Sequence, residues 1–173
     1  MQDFQPDAQV LANKTILVTG AGDGIGKEAA LTFARYGATV ILLGKTTAKL
    51  EAVYDEIVNK GWPEPAIVPL DLNGATKKHY QDMASTIKAE FGKLDGVLHN
   101  AGMLGVLTPF EHIDLETWQK ILQVNLTSAM LMTQALLPVM ALAPHASLVF
   151  TSSGVGRKGR AYWGAYSVSK FGT

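Results

Sequence analysis

The chain has 173 residues, enough for one well-cored domain and short for two. Fifteen basic residues balance fifteen acidic ones, so there is no electrostatic case for a nucleic-acid or anionic-membrane partner. Cysteine is absent, which excludes disulfides and thiolate metal sites.

The N-terminal stretch MQDFQPDAQVLANK lacks a basic segment followed by an apolar core, so it does not read as a signal peptide. Thr15–Thr19 (TILVT) is a β-branched apolar run and predicts a first strand. Glycines follow at once. Ile25 to Tyr36 suits a helix, with Ala29, Ala30, Phe33 and Ala34 near one stripe and Gly37 as its stop. Thr39–Leu43 (TVILL) predicts a second strand, and Thr47 to Lys60 a helix with Leu50, Val53, Tyr54 and Ile57 on one side. GWPEP is a loop. AIVPLD (Ala66–Asp71) predicts a third strand whose Pro69 belongs near its end or at a sheet edge. Gly74 to Phe91 is a polar-faced helix, and Gly96–Asn100 (GVLHN) a fourth strand. Leu115 to about Ala141 reads as one long apolar helix. Thr133, Gln134 and Pro138 interrupt it, which points to a buried helix rather than a membrane span. Ser147–Ser152 (SLVFTS) predicts a fifth strand, and a last helix is expected from near Tyr162.

Alternating strands and helices imply parallel pairing, and continuous apolar runs imply strands covered on both faces. Right-handed crossovers then give an α/β fold with a doubly wound parallel sheet of five strands, a three-layer Rossmann-type single domain over residues 1–173. Ligands of such sheets bind beyond the carboxyl ends of the strands.

After the first strand comes TGAGDGIG, with glycines at Gly20, Gly22, Gly24 and Gly26. This is not GxGxxG, because Ile25 stands at the third glycine position, nor a GxxxxGK[ST] phosphate loop. A glycine turn opening a helix still offers a sharp reversal, unpaired N–H groups and a positive dipole end to a pyrophosphate. The bland alternative is a turn that only packs.

TGAGDGIG resembles the TGxxxGxG cofactor motif of the short-chain dehydrogenases/reductases. HNAG (His99–Gly102) is similar to their NNAG motif, and TSSGVG followed by YSVSK resembles their serine and YxxxK signatures. Thirteen residues separate Ser153 from Tyr166, as in the family, and the motifs span Thr19 to Lys170 in the family's order.

Tyr166 and Lys170 lie at i and i+4, on one face of a helix. A phenol ordinarily titrates near 10, and an ammonium beside it favours the phenolate. Taken alone, the pair would read as a helix-surface pair. The resemblance implies more: a tyrosine that passes a proton to or from the substrate oxygen while hydride moves to or from a nicotinamide. It implies a lysine that also holds the ribose, and Ser153, ending the fifth strand, at the substrate oxygen. Asparagine is a poor helix former, so Asn125 inside the long helix needs a local reason. The family uses this residue to kink the helix and hold a proton-relaying water. The resemblance further places Gly20, Asp23, Gly24, Ile25 and Gly26 on the cofactor, with Asp71 and Leu72 near its adenine. Asn100, Ala101 and Gly102 would line its channel, together with Tyr166 and Lys170. His99 replaces the usual first asparagine and is read as a satisfied strand histidine.

No acid ends the second strand. Gly44 fills its place, and Lys45 follows, where an ammonium would meet the 2′-phosphate of NADP. Asp23 in the glycine loop argues against it. NADP(H) is favoured over NAD. The four histidines show no ligand spacing, so no metal is expected. Met130 and Met132 read as core or interface filler. The loop GRKGR (Gly156–Arg160) reads as solvated, with an anionic substrate as the alternative.

The sequence therefore predicts a cytoplasmic NADP-dependent oxidoreductase acting on a small carbonyl or alcohol, with no nucleic-acid or membrane partner. The resemblance also implies a homo-oligomer and a family fold that continues beyond Thr173 with further strands and a substrate loop. A non-catalytic dinucleotide-binding or scaffolding domain is the alternative.

Overall fold

The computed structural model describes residues 6–173. It contains β1 (Thr15–Thr19), α1 (Gly24–Arg35), β2 (Thr39–Gly44), α2 (Thr47–Asn59), β3 (Ala66–Pro69) and α3 (Lys77–Phe91). Then follow β4 (Gly96–His99), α4 (Leu115–Leu122), a π-helical segment (Gln123–Thr127), α5 (Ser128–Met140), β5 (Ser147–Phe150) and α6 (Gly164–Gly172). The five strands form one parallel sheet in the order β3-β2-β1-β4-β5. The chain winds outward from β1 through β2 to β3, then returns to the other side of β1. The crevice at the carboxyl ends of β1 and β4 is thus the switch point where ligands of such sheets bind.

Strand residues alternate between two cores. Leu17, Ile41, Leu43 and Val97 face α3 and α5, packing on Tyr80, Met83, Ile87, Met132 and Leu136. Ile16, Val18, Val40 and Leu42 face α1 and α2, packing on Ala30, Leu31, Leu50, Val53 and Ile57. At the amino end of the sheet, the buried Asp95 carboxylate takes Lys14, Lys93 and the Thr15 N–H. Burial opposes its charge, but these donors outweigh that and hold its pKa below the ordinary value.

The predicted elements are all present, with physical reasons for the differences. The third helix starts at Lys77 rather than Gly74, because Asp71 Oδ1 accepts the Asn73 N–H at 3.0 Å and ties residues 71–74 into a turn. The last helix starts at Gly164 rather than Tyr162, because Tyr162 sits at φ 72°, outside helical space. The long helix is two α-helices joined by a π segment. Strand β5 ends at Phe150, so Ser153 lies beyond it, capping a short 3₁₀ turn over Gly154–Gly156. The expectation that all strands are covered on both faces fails for β5. Ser147, Val149 and Phe150 are exposed there, since β5 is an edge strand paired only with β4, while Leu148 packs against the α3/α5 core. Pro69 does close an edge strand. Met132 is core, while Met130 is exposed. Among the described residues, no helix is long and apolar enough to cross a membrane.

Candidate active site

Thr19, the last residue of β1, knits the crevice together. Its hydroxyl accepts the N–H groups of Asn100 and Ala101, both at 2.9 Å. Asn100 in turn donates from Nδ2 to the Thr19 carbonyl and accepts from Thr151 Oγ1, bridging the ends of β1 and β5. Gly26 is packed so closely that a Cβ there would lie 2.1 Å from the Gly20 carbonyl oxygen. Gly24 differs: at φ +51° it faces open space, with nothing within 4 Å of a Cβ position. The turn therefore packs α1 tightly onto the strand at Gly26 and leaves the chain bare at Gly24.

That bare turn opens on a cleft of about 380 Å³ lined by Gly20, Asp23, Gly24, Lys45, Lys49, Asn100 and Gly102 among others. Asp23 caps α1 by accepting the Gly24 N–H at 2.8 Å. Its other oxygen takes Lys49 Nζ at 2.5 Å, and that contact first, then the Gly24 amide, holds its pKa below the usual carboxylate value. Lys45 is exposed at the cleft. Lys49, in the first turn of α2, carries no sequence signal beyond its place shortly after Lys45. Ile25, 70% exposed, stands on the outer side of the first turn of α1. Asp71 is exposed at its turn, but Leu72 buries its side chain in the core, so only its main chain is open to a ligand.

Beyond Gly102, which lines the cleft, Asn125, Tyr166 and Lys170 come together. Asn125, only 4% exposed, occupies the π segment. Its Oδ1 accepts the Met103 N–H at 2.8 Å, and its Nδ2 donates to the Met103 carbonyl at 2.9 Å and to Ser169 Oγ at 3.0 Å. This is the local reason for an asparagine in a helix: the bulge turns its amide onto the loop after β4. Both amide hydrogens are committed, leaving one lone pair for a water. Lys170 is buried, which lowers its pKa, and its Nζ donates to the Thr151 carbonyl at 2.7 Å. The ammonium lies 5.7 Å from the centre of the Tyr166 ring. A Cβ on Gly102 would sit 3.5 Å from Asn125 Oδ1 and 3.7 Å from Lys170 Nζ. Gly102 thus adjoins both side chains at the cleft wall.

The Ser153 turn is clamped to the same helix. Ser167 Oγ donates to the Val155 carbonyl at 2.8 Å, and a Cβ on Gly156 would strike the Lys170 carbonyl at 2.6 Å. Ser153 itself is half-buried, and its side chain makes no capping bond. Arg157, Lys158 and Arg160 are exposed. Among the described residues no group of three or more His, Asp or Glu could hold a metal ion.

His99 braces rather than reacts. It is buried, its Nε2 lies 3.0 Å from Thr133 Oγ1, and its ring stacks on Phe150 at 4.7 Å. Burial lowers its pKa to about 4. The stability contributed by its neutral form is full above about 6.5 and is lost as pH falls toward 4. Between pH 7.5 and pH 5 the wild type is expected to lose about 2 kcal/mol more than His99→Asn in urea titrations. Equal losses would show that His99 protonates freely.

A family model described as short chain dehydrogenase matches residues 14–173. Oxidoreductase YciK of Escherichia coli K12, an uncharacterized protein, is 49% identical over 170 residues, covering 98% of this chain and 68% of YciK. A short chain dehydrogenase structure from Pseudomonas syringae superposes with a TM-score of 0.96 at 47% identity, over 99% of this chain and 69% of that one. A short chain dehydrogenase from E. coli CFT073, solved in complex with NADPH, gives a TM-score of 0.93 at 50% identity, over 96% and 70%.

Proposed function

Because the chain belongs to the short chain dehydrogenase family, we propose that it is an NADP(H)-dependent oxidoreductase interconverting a carbonyl and a secondary alcohol. The observation that carries this reading is the delivery of Lys170 Nζ and Asn125 to the cleft wall at Gly102, one helical turn from Tyr166. A structural lysine has no need of burial at the end of a ligand crevice.

The residues present fit a dinucleotide. Bare Gly24 leaves space for a diphosphate, and the first turn of α1 offers the N–H groups of Ile25 and Gly26, which lack intrahelical partners. The Asp23 charge, which would repel phosphate, is already matched by Lys49. The cleft therefore has an excess cation in Lys45, suited to a 2′-phosphate. The E. coli CFT073 relative holds NADPH, which supports the same choice here. Asp71 and the main chain at Leu72 border the adenine end; Asn100, Ala101 and Gly102 form the channel.

When bound, NADPH supplies the hydride that reduces the carbonyl carbon, leaving as NADP⁺, and the reverse reaction returns it. Tyr166 gives the proton to the carbonyl oxygen, or takes it from the alcohol. Lys170 steadies negative charge on the phenol oxygen during that transfer and holds the ribose. Ser153 orients the substrate oxygen by a hydrogen bond. Asn125 fixes the wall on which Lys170 rests and can hold a water with its free lone pair. Self-association belongs to the same reading, supported by Met130 and Leu137, 47% and 51% exposed on α5.

Titration with NADPH and NADH, alongside turnover on a ketone panel, tests the proposal. Lys45→Ala is expected to weaken NADPH about 10-fold and leave NADH unchanged, as for one solvent-screened charge-assisted contact. Equal weakening of both would remove Lys45 from the 2′-phosphate. Cofactor binding without turnover of any carbonyl would favour the binding-domain alternative.

A further inference from the structure

A second cavity, of about 190 Å³, opens beside Tyr166 and lies outside the NADP(H) cleft. The loop after β4 runs from one to the other, lining the cleft at Gly102 and the cavity at Leu104 and Val106. Its walls are α4 and the approach to α6, and three backbone features hold them together. Gly105, at φ +73°, has Ile121 Cδ1 2.4 Å from where a Cβ would sit. The Thr108 N–H donates to the carbonyl of Tyr162, itself at φ 72°. Gly164 makes room for Ile113, whose Cδ1 would meet a Cβ at 2.7 Å. A non-glycine residue held at positive φ marks a place the surroundings over-determine.

The chemistry of the wall is one-sided. Trp118, Tyr162, Trp163 and Tyr166 contribute rings, and Val106 and Ile121 contribute branched aliphatic surface. The rings of Trp163 and Tyr166 pack at 5.8 Å and 48°. The rim is apolar too: Val106 and Tyr162, which line it, are 76% and 60% exposed. No lysine or arginine lines the cavity; the exposed 157–160 cations lie outside it. Its one carboxylate, Asp114, accepts the Thr117 N–H at 2.7 Å, and that bond keeps its pKa below the usual value. An anionic substrate would meet that carboxylate, and no lysine or arginine to offset it; His112 is the one basic side chain in the lining. As for size, an apolar cavity of about 150 Å³ holds a benzene ring.

We propose that the substrate is an uncharged ketone or secondary alcohol carrying one apolar ring, aryl or alicyclic, seated between Trp118, Trp163 and Val106 with its oxygen toward Tyr166. This rests on the reading of Tyr166 as the proton donor. The anionic substrate considered for the GRKGR loop is disfavoured by the same lining.

The test uses the full chain and two ketones that share a ring, 4-methylcyclohexanone and 4-oxocyclohexanecarboxylate. Two of the three tryptophans wall the cavity, so binding is read without cofactor as saturable quenching of intrinsic fluorescence. Turnover is read separately as NADPH consumption. The neutral ketone is expected to bind and to turn over at least 10-fold better than the carboxylate. Val106→Lys, at an exposed rim position, is expected to narrow that preference at least 10-fold. Equal or better use of the carboxylate by the wild type would overturn the inference and leave the oxidoreductase reading standing. So would turnover indifferent to Val106→Lys. Saturable quenching by the neutral ketone with no NADPH consumed on either compound would overturn the oxidoreductase reading itself, and the substrate assignment with it.

Discussion

Tyr166→Phe is expected to lower kcat for carbonyl reduction by about 10²–10⁴-fold while leaving NADPH affinity within about threefold. The substitution removes one oxygen. The ring stays, so its packing on Trp163 at 5.8 Å and the approach of Lys170 at 5.7 Å are retained. Loss of rate without loss of cofactor binding isolates the proton-transferring group from the scaffold that holds it. Lys170→Met should behave differently. Lys170 is 6% exposed and donates to the Thr151 carbonyl, so its removal strips that carbonyl of its partner and alters the cleft wall at Gly102. NADPH binding and rate should therefore fall together. Single-turnover kinetics and NADPH fluorescence titration on the same preparations separate the two patterns. A Phe variant that keeps rates within threefold of wild type would take Tyr166 out of the chemistry.

Local preference is what the sequence made legible. Apolar runs such as TILVT and TVILL became β1 and β2 because no other element could bury them so fully. Pro69 closed an edge strand. The three-layer fold followed from the alternation alone. What stayed hidden depends on partners far away in the chain. Lys49 lies 26 residues from Asp23, so nothing in the helix pattern marks it as the counter-ion of the glycine loop. Asn125 marks an irregularity in the long helix, but not its form as a π segment, which is set by a pairing with Met103, 22 residues upstream. The left-handed Tyr162 is likewise set by its tie to Thr108, not by its own preference. In the candidate site, the YxxxK spacing and the glycine turn were visible. The aromatic cavity was not, since Trp118 and Trp163 meet only through the fold.

Asn125→Ala is expected to destabilise the fold by about 2–5 kcal/mol, because two main-chain groups of Met103 lose their partner in a part-buried setting. For a chain of this size that corresponds to a fall in Tm of roughly 5–15 °C. The effect should exceed that of a simple cavity, because the amide links three elements. It joins the loop after β4 to the π segment, and through Ser169 Oγ to α6, where Ser169 donates to the Tyr166 carbonyl at 2.8 Å. Ser169→Ala provides the comparison. It cuts only the last link and leaves the Met103 pair intact, so about 1 kcal/mol is expected. Rate and stability should part in the two variants. At a temperature well below either transition, Asn125→Ala should still lose about 100-fold in kcat, as expected when reacting groups move by about 1 Å. Ser169→Ala should keep most of its rate. If both variants melt alike and turn over alike, the bulge is a packing irregularity, and the wall that presents Lys170 is held by something other than Asn125.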